Sequence, residues 1–273
     1  MAAERRVAPG AAFPRIRLGW LTFALLNGLG VLAYLHPFIF AETGAADSRW
    51  FEHNTDAPIV FGAIGALCIV LVVAELTEGR LNSKALAALG VLAAFAAVLR
   101  TITLPAGANL YFFLVILGGY SFGPRMGFLL GALSFFLSAI VTGGFGPWLP
   151  FQMFASAWMG LSAGWLRPAT GGLPVRGQAG VLALFGAAWG LLYGAITNLW
   201  SWPFWVGGPD LTYQAGIGLA EAVRRYWNFY LFTSFGWDLM RSVCNAVVLG
   251  LIGGPMLKAL LRFRQRFAWE WDG

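Results

Sequence analysis

The sequence contains few charged residues for its length. Of its 273 residues only 11% are charged, whereas 59% are hydrophobic, and the mean hydropathy is +0.70. A soluble domain cannot bury so much apolar surface, but a helix of ~20 apolar residues crosses the ~30 Å hydrocarbon core of a bilayer. Such a helix also satisfies its own backbone hydrogen bonds in lipid. We therefore predict an all-α, polytopic membrane protein.

Residues that bind metals or perform catalysis are also scarce. The two cysteines, Cys68 and Cys244, both lie within apolar stretches, and with two histidines there is no cluster spaced for zinc or haem. Serine-hydrolase, zinc-protease and P-loop motifs are missing. We predict no cofactor, no metal site and no enzymatic activity, and ATP hydrolysis by this chain alone is excluded.

Eight apolar blocks predict about eight transmembrane helices. Two of them are short and separated only by Gly123-Pro124-Arg125, which indicates a tight hairpin. The first is too long for a cleaved signal peptide, so we interpret it as a retained helix. The blocks are Leu18–Phe40, Pro58–Leu76, Lys84–Leu104, Asn109–Phe122, Met126–Val141, Leu149–Leu166, Gly180–Trp200 and Trp227–Leu261.

Positive charge falls on every second gap between the blocks. If the N-terminus is cytoplasmic, cytoplasmic segments hold 13 of the 18 basic residues, external gaps hold Arg49, Arg224 and Arg225, and Arg100 and Arg241 lie within blocks. The positive-inside rule then predicts a cell-membrane protein with both termini in the cytoplasm. Topology and anionic lipid explain the net charge of +6, so we expect no nucleic-acid partner.

The chain changes character near residue 84, where glycine and tryptophan become dense. We divide it into an N-terminal two-helix membrane extension (1–80), a six-helix membrane core (81–260) and a cytoplasmic basic tail (261–273). The first core helix carries small residues four apart, a spacing that allows another helix to approach closely. This stripe serves either packing within the bundle or docking to a separate membrane subunit, and its members are Gly90, Ala93, Ala94 and Ala97.

The last block carries an unusual group of polar residues. Asp238 and Arg241 are three residues apart and Asn245 is four further on, so all three lie near one helix face, beside Trp237. Ionisable groups at such depth are costly and usually face a partner or a cavity. Asp238 and Arg241 either form a neutral structural pair or belong to the wall of a ligand site.

Further candidates lie at the predicted external ends of the core helices. Arg100 ends the third block beside a Pro/Gly-broken segment, where it either reaches to the interface or meets a ligand anion. The tryptophans either form an interfacial belt or line an aromatic pocket with a few polar groups. The other candidate binding residues are Asn109, Tyr111, Trp148, Gln152 and Asn198.

Several of these segments resemble the substrate-binding membrane subunit, or S component, of energy-coupling factor (ECF) vitamin transporters. The resemblance rests on the small-residue helix ending at Arg100, the hairpin Leu117–Gly127, the segment Gly144–Met153 and the terminal Trp237–Arg241. It covers residues ~84–260. The two extra N-terminal helices depart from the usual six-helix form.

The resemblance implies a vitamin or vitamin precursor bound on the outer side, in the region of the candidates above. It also implies assembly with a transmembrane coupling subunit and two cytoplasmic ATPase subunits, with the small-residue stripe as the docking surface. The Trp-rich outer segments are most similar to members that handle cobalamin or its benzimidazole precursor. Two alternatives stay open: a self-sufficient secondary transporter, which should show paired repeats, and an integral membrane enzyme or assembly factor.

Overall fold

A computed structural model describes residues 18–40, 53–77, 83–104, 108–205, 207–214 and 216–268. Within these ranges the chain is all-α, without a β-strand, and it forms nine α-helices. Most of the gap between the first two predicted blocks, residues 41–52, lies outside the described residues. So do residues 1–17 before the first block and residues 269–273 of the predicted tail. The helices are α1 (Leu18–Phe40), α2 (His53–Thr77), α3 (Ser83–Thr101), α4 (Tyr111–Phe122), α5 (Pro124–Thr142), α6 (Leu149–Thr170), α7 (Val175–Asn198), α8 (Leu219–Thr233) and α9 (Phe235–Ala268).

Seven of the eight predicted blocks correspond to one helix each, and the hairpin around Gly123 is confirmed. The prediction of one helix over Trp227–Leu261 is wrong, because Ser234 leaves the helical conformation at φ −127° and separates α8 from α9. Nothing in the apolar run marks this break, since serine is not a strong helix breaker. The helix α8 also begins earlier than the block, in a charged stretch with Glu221, Arg224 and Arg225.

Four of the described helices, α3, α5, α7 and α9, are long and apolar enough to cross a membrane. The helix α4 is apolar but has only 12 residues. Short connections make the successive helices from α3 to α7 antiparallel, and a hydrogen bond from Asn198 to Ser234 brings the end of α7 to the start of α9. The ends of α3, α5 and α7 therefore meet the starts of α4, α6 and α9 at one end of the bundle, which we call the Arg100 end; the opposite end we call the Arg167 end.

Glycine allows α4, α5 and α6 to touch backbone to backbone. A Cβ atom at Gly119 of α4 or at Gly127 of α5 would overlap the carbonyl oxygen of Gly160 in α6. A Cβ atom at Gly131 would likewise overlap Ser156. Since lipid supplies no hydrophobic drive for helix association, close backbone packing of this kind is what holds helices together in a membrane.

The second glycine-mediated contact joins α7 to α9. A Cβ atom at Gly190 would overlap Ser242, and one at Gly194 would overlap Asp238. Hydrogen bonds reinforce the contact: the Ser242 hydroxyl donates to the Ala187 carbonyl at 2.8 Å and the Asn245 amide donates to the Gly186 carbonyl at 3.0 Å. The two helices form the most extensive helix pair of the core.

The N-terminal hairpin of α1 and α2 packs against α6. The Tyr34 hydroxyl donates to the Phe151 carbonyl at 2.7 Å, and the Trp158 indole donates to the Asn27 side chain at 2.9 Å. Gly30 of α1 provides the space that the rings of Phe154 and Trp158 occupy. The extension therefore lies on the α6 side of the core, and α3 keeps a broad exposed face.

At the Arg167 end, two arginines from different helices share one acceptor. Arg167 of α6 and Arg264 of α9 both donate to the carbonyl oxygen of Ser121, at 2.7 and 3.0 Å. This contact ties the end of α4 to two other helices. The helix α9 continues to Ala268, so most of the segment that we predicted as a separate tail is the last part of α9.

Candidate functional site

Two arginines enclose a pair of aromatic rings at the Arg100 end of the bundle. The Arg100 guanidinium lies 4.2 Å from the ring centroid of Phe135, and that ring stacks on Tyr193 with centroids 6.3 Å apart. The Arg241 guanidinium lies 5.2 Å from the Tyr193 ring and 5.4 Å from that of Phe112. We call these five residues the arginine–aromatic column. It draws on α3, α4, α5, α7 and α9.

The hydrogen bonds of the two arginines differ. Arg241 donates to Asp238 at 2.6 Å and to the Gly190 carbonyl at 3.3 Å, which confirms the predicted pairing within α9. Arg100 donates to the Ser138 hydroxyl at 2.8 Å, and no carboxylate of the described residues pairs with it. The column with its neighbour Asp238 therefore has two positive charges and one negative charge.

Buried hydroxyl groups surround the column. The hydroxyl groups of Tyr193 and Ser156 are buried close to each other, and neither makes a hydrogen bond of normal geometry within the described part of the chain. The same holds for the second carboxylate oxygen, Oδ2, of Asp238, which lies near the Tyr230 side chain. A buried polar atom without a partner costs about 1–3 kcal/mol, so three such atoms in one region mark it as a place where a polar ligand would be stabilised.

Four of the predicted site residues make hydrogen bonds within the bundle, and their part in ligand binding stays a prediction. The side chain of Asn109 accepts from the Tyr111 amide at 3.1 Å and so fixes the start of α4. The Tyr111 hydroxyl donates to the Gly131 carbonyl at 3.0 Å, also contacting Ser134. Asn198 donates to the Ser234 hydroxyl at 2.6 Å, and Asn245 joins α9 to α7 as described above. These side chains position the helices that form the column.

The predicted aromatic walls are largely exposed. The side chain of Trp237 is 60% exposed and that of Trp148 is 40% exposed. Gln152, one turn after Trp148, is half-buried. The structure thus brings Arg100, Asp238 and Arg241 together and leaves Trp148 and Trp237 at the surface of the bundle.

The small-residue stripe on α3 divides between two faces of the helix. Ala93 and Ala97 are each 1% exposed and pack inside the bundle. Gly90 and Ala94 are exposed, and a Cβ atom at Gly90 would meet no other atom within 4 Å. The packing interpretation is therefore confirmed for Ala93 and Ala97, and docking through Gly90 and Ala94 stays a prediction. The exposed face of α3 continues over Val91, Phe95 and Val98.

Sequence reasoning missed the column's three aromatic residues and Ser156. Tyr193 is a fully enclosed tyrosine within an apolar block, and Phe135 lies between Ser134 and Ser138 on α5. A polar side chain within an apolar span indicates a functional site. The hydroxyl groups of Tyr193 and Ser156 carry this signal as well as the charged and amide groups do.

A separate cavity of about 350 Å³ lies between the end of α1 and the segment around α8. Its polar groups are occupied: the Trp202 indole donates to the Leu211 carbonyl at 2.9 Å, and the Tyr226 hydroxyl donates to the Ala195 carbonyl. The cavity therefore presents an apolar surface. Its aromatic lining consists of Phe38, Trp202, Tyr213 and Tyr226.

Comparison with known protein families identifies the core. The family model described as "ECF transporter, substrate-specific component" matches residues 84–253. The chain belongs to this family. No curated protein and no solved structure matches it.

The family match extends from the start of α3 into α9, so the whole arginine–aromatic column lies within it. The hairpin of α1 and α2 lies outside the match. Family membership and the apolar helices make this chain a multi-pass membrane protein of a transport system. The described residues contain no group of three or more His, Cys, Asp or Glu side chains that could hold a metal ion.

Proposed function

We propose that this chain is the substrate-binding membrane subunit of an ECF-type importer and that its ligand binds at the Arg100 end of the core. The observation that carries the proposal is that the family match contains the whole column of two arginines and three aromatic rings, together with the buried hydroxyl group of Ser156 beside it. Rings with a few polar groups are the usual lining of a small-molecule site. The ligand is a vitamin or vitamin precursor, and the resemblance favours cobalamin or a benzimidazole compound.

The chain does not act alone in this proposal. It binds the ligand without enzymatic chemistry, and a transmembrane coupling subunit with two cytoplasmic ATPase subunits supplies the energy for import. Both termini are cytoplasmic and the Arg100 end faces outward, as the distribution of basic residues favours. The exposed face of α3 with Gly90 and Ala94 suits close approach of a partner helix, and the α1–α2 hairpin leaves that face open.

Co-purification tests this function. The tagged chain, expressed with the coupling subunit and ATPase pair of its host, should be isolated as a complex in detergent, and the complex should import its ligand only when ATP is hydrolysed. Import by the chain alone in proteoliposomes, driven by an ion gradient, would instead establish a secondary transporter. Labelling of single-cysteine variants should find Asp210→Cys accessible from outside and Arg167→Cys from inside.

A further inference from the structure

The charges of the column specify the chemical class of the ligand. Arg241 is neutralised by Asp238, and Arg100 is paired with no carboxylate in the described residues. A positive charge within a low-dielectric region is costly unless an anion or a cavity meets it. The Phe135 ring offsets part of this cost, since a cation–π contact contributes about 0.5–2 kcal/mol. Among the described residues, one positive charge is therefore left without a counter-ion.

The unpaired hydroxyl groups lie near the same charge. Ser156 of α6 adjoins both Tyr111 and Tyr193, and Tyr193 interacts electrostatically with Arg100 as well as with Arg241. The side chains of Tyr193 and Ser156 are 5% and 0% exposed. A hydroxyl donates hydrogen bonds, and a guanidinium retains several N–H donors when one is used. These groups together form a set of donors around an excess positive charge, which is the chemistry that binds an oxyanion.

We infer that the ligand of this subunit carries one acidic group, a carboxylate or a phosphate ester, which binds Arg100 and the hydroxyl groups of Tyr193 and Ser156. The rings of Phe135 and Tyr193 then contact an apolar or ring-shaped part of the same molecule. The inference rests on the proposed function and narrows its ligand to compounds with an acidic group. A benzimidazole precursor without an acidic group does not meet this requirement.

The test uses the full chain in nanodiscs of phosphatidylcholine, whose headgroup has no net charge. The probes are water-soluble vitamins in matched acidic and neutral forms, nicotinate with nicotinamide, pantothenate with panthenol and biotin with its amide, together with cobalamin and dimethylbenzimidazole. Compounds retained after gel filtration are identified by mass spectrometry. We expect the retained compound to carry an acidic group and its neutral form to be lost.

Single substitutions then test whether Arg100 provides the charge that binds the acidic group. Arg100→Gln should weaken binding of the retained acid by roughly tenfold or more, because a charged hydrogen bond is lost. Arg100→Lys should weaken it less, and Ser156→Ala should weaken it without lowering the unfolding temperature. Arg262→Gln, at an exposed arginine near the Arg167 end, is the matched control and should bind as the parent does.

Four results would overturn the inference. Retention of a neutral compound, or unchanged binding of the acid by Arg100→Gln, would refute the charge assignment and leave the transport function intact. An anionic lipid carried through purification and displaced by none of the probes would show that the site holds a headgroup. Retention of no compound at all would count against the proposed function itself, and the inference would fail with it.

Discussion

Gly194 of α7 and Asp238 of α9 lie so close together that a Cβ atom at residue 194 would overlap the Asp238 carboxylate. Asp238 is 2% exposed, and its carboxylate accepts a hydrogen bond from Arg241. The position of the acid that pairs with Arg241 therefore depends on the absence of a side chain on the neighbouring helix.

The first prediction concerns this contact. Gly194→Ala should displace Asp238 and lower the free energy of unfolding by about 1–3 kcal/mol, the usual cost of overpacking. Gly180→Ala is the control on the same helix, since a Cβ atom there meets no atom within 4 Å; it should be neutral or slightly stabilising. Thermal unfolding in detergent measures both. Equal stability of the two variants would show that α7 and α9 are less closely packed than described.

The second prediction separates structure from binding in the Asp238–Arg241 pair. Arg241→Ala leaves a buried carboxylate without its partner and should destabilise the fold by about 3–5 kcal/mol, seen as loss of folded yield. The double variant Asp238→Asn with Arg241→Gln removes both charges and should fold. If it also binds ligand as the parent does, the pair is structural; loss of binding in a folded double variant would place the pair in the site.

The third prediction uses the two faces of α3. Gly90→Leu with Ala94→Leu should block close helix approach, abolishing uptake while ligand binding and stability are kept. Ala93→Leu with Ala97→Leu adds the same side chains to the buried face and should lower the unfolding temperature. Uptake assays, binding and thermal unfolding distinguish the pairs. Normal uptake by the Gly90/Ala94 variant would mean that the partner docks elsewhere.

The fourth prediction concerns the charged start of α8. Hydrogen bonds from Arg224 and Arg225 lower the pKa of Glu221 from 4.5 to about 2. Because the folded pKa is the lower one, the stabilising contribution is complete above about pH 4.5 and is lost as the pH falls towards 2. The difference in unfolding temperature between the parent and Glu221→Gln should therefore be constant from pH 7 to 5 and shrink below 4.5. A difference that does not vary with pH would contradict the assignment.

The sequence predicted the helices well where an apolar run ended at a turn signal. Gly123-Pro124 separated α4 from α5 as expected, because glycine accepts the positive φ there and proline starts a helix. The break at Ser234 has no signal in the apolar run; in the structure its hydroxyl accepts a hydrogen bond from Asn198 of α7, a contact that no local pattern specifies. Only the length of the block, 35 residues, indicates that it contains more than one helix.

In the candidate site, sequence spacing predicts the contact between Asp238 and Arg241 but not the aromatic residues around it. Asp238 and Arg241 are on one helix, so their contact follows from helix geometry. The stacking of Phe135 on Tyr193 joins residues 58 positions apart on different helices, and no local pattern specifies it. Trp148 and Trp237 have the flat aromatic rings that suit a ligand site, but the periodicity of the sequence does not show which way these rings face.

Glycine contacts divide the core into two units, one made of α4, α5 and α6 and the other of α7 and α9. Within each unit the backbones touch, so neither can open without losing many contacts at once. Phe135 belongs to the first unit and Tyr193 to the second, and the column crosses the seam between them. A ligand bound at the column would contact both helix groups at once, so its binding would depend on the spacing between whole helices rather than on the shape of one loop.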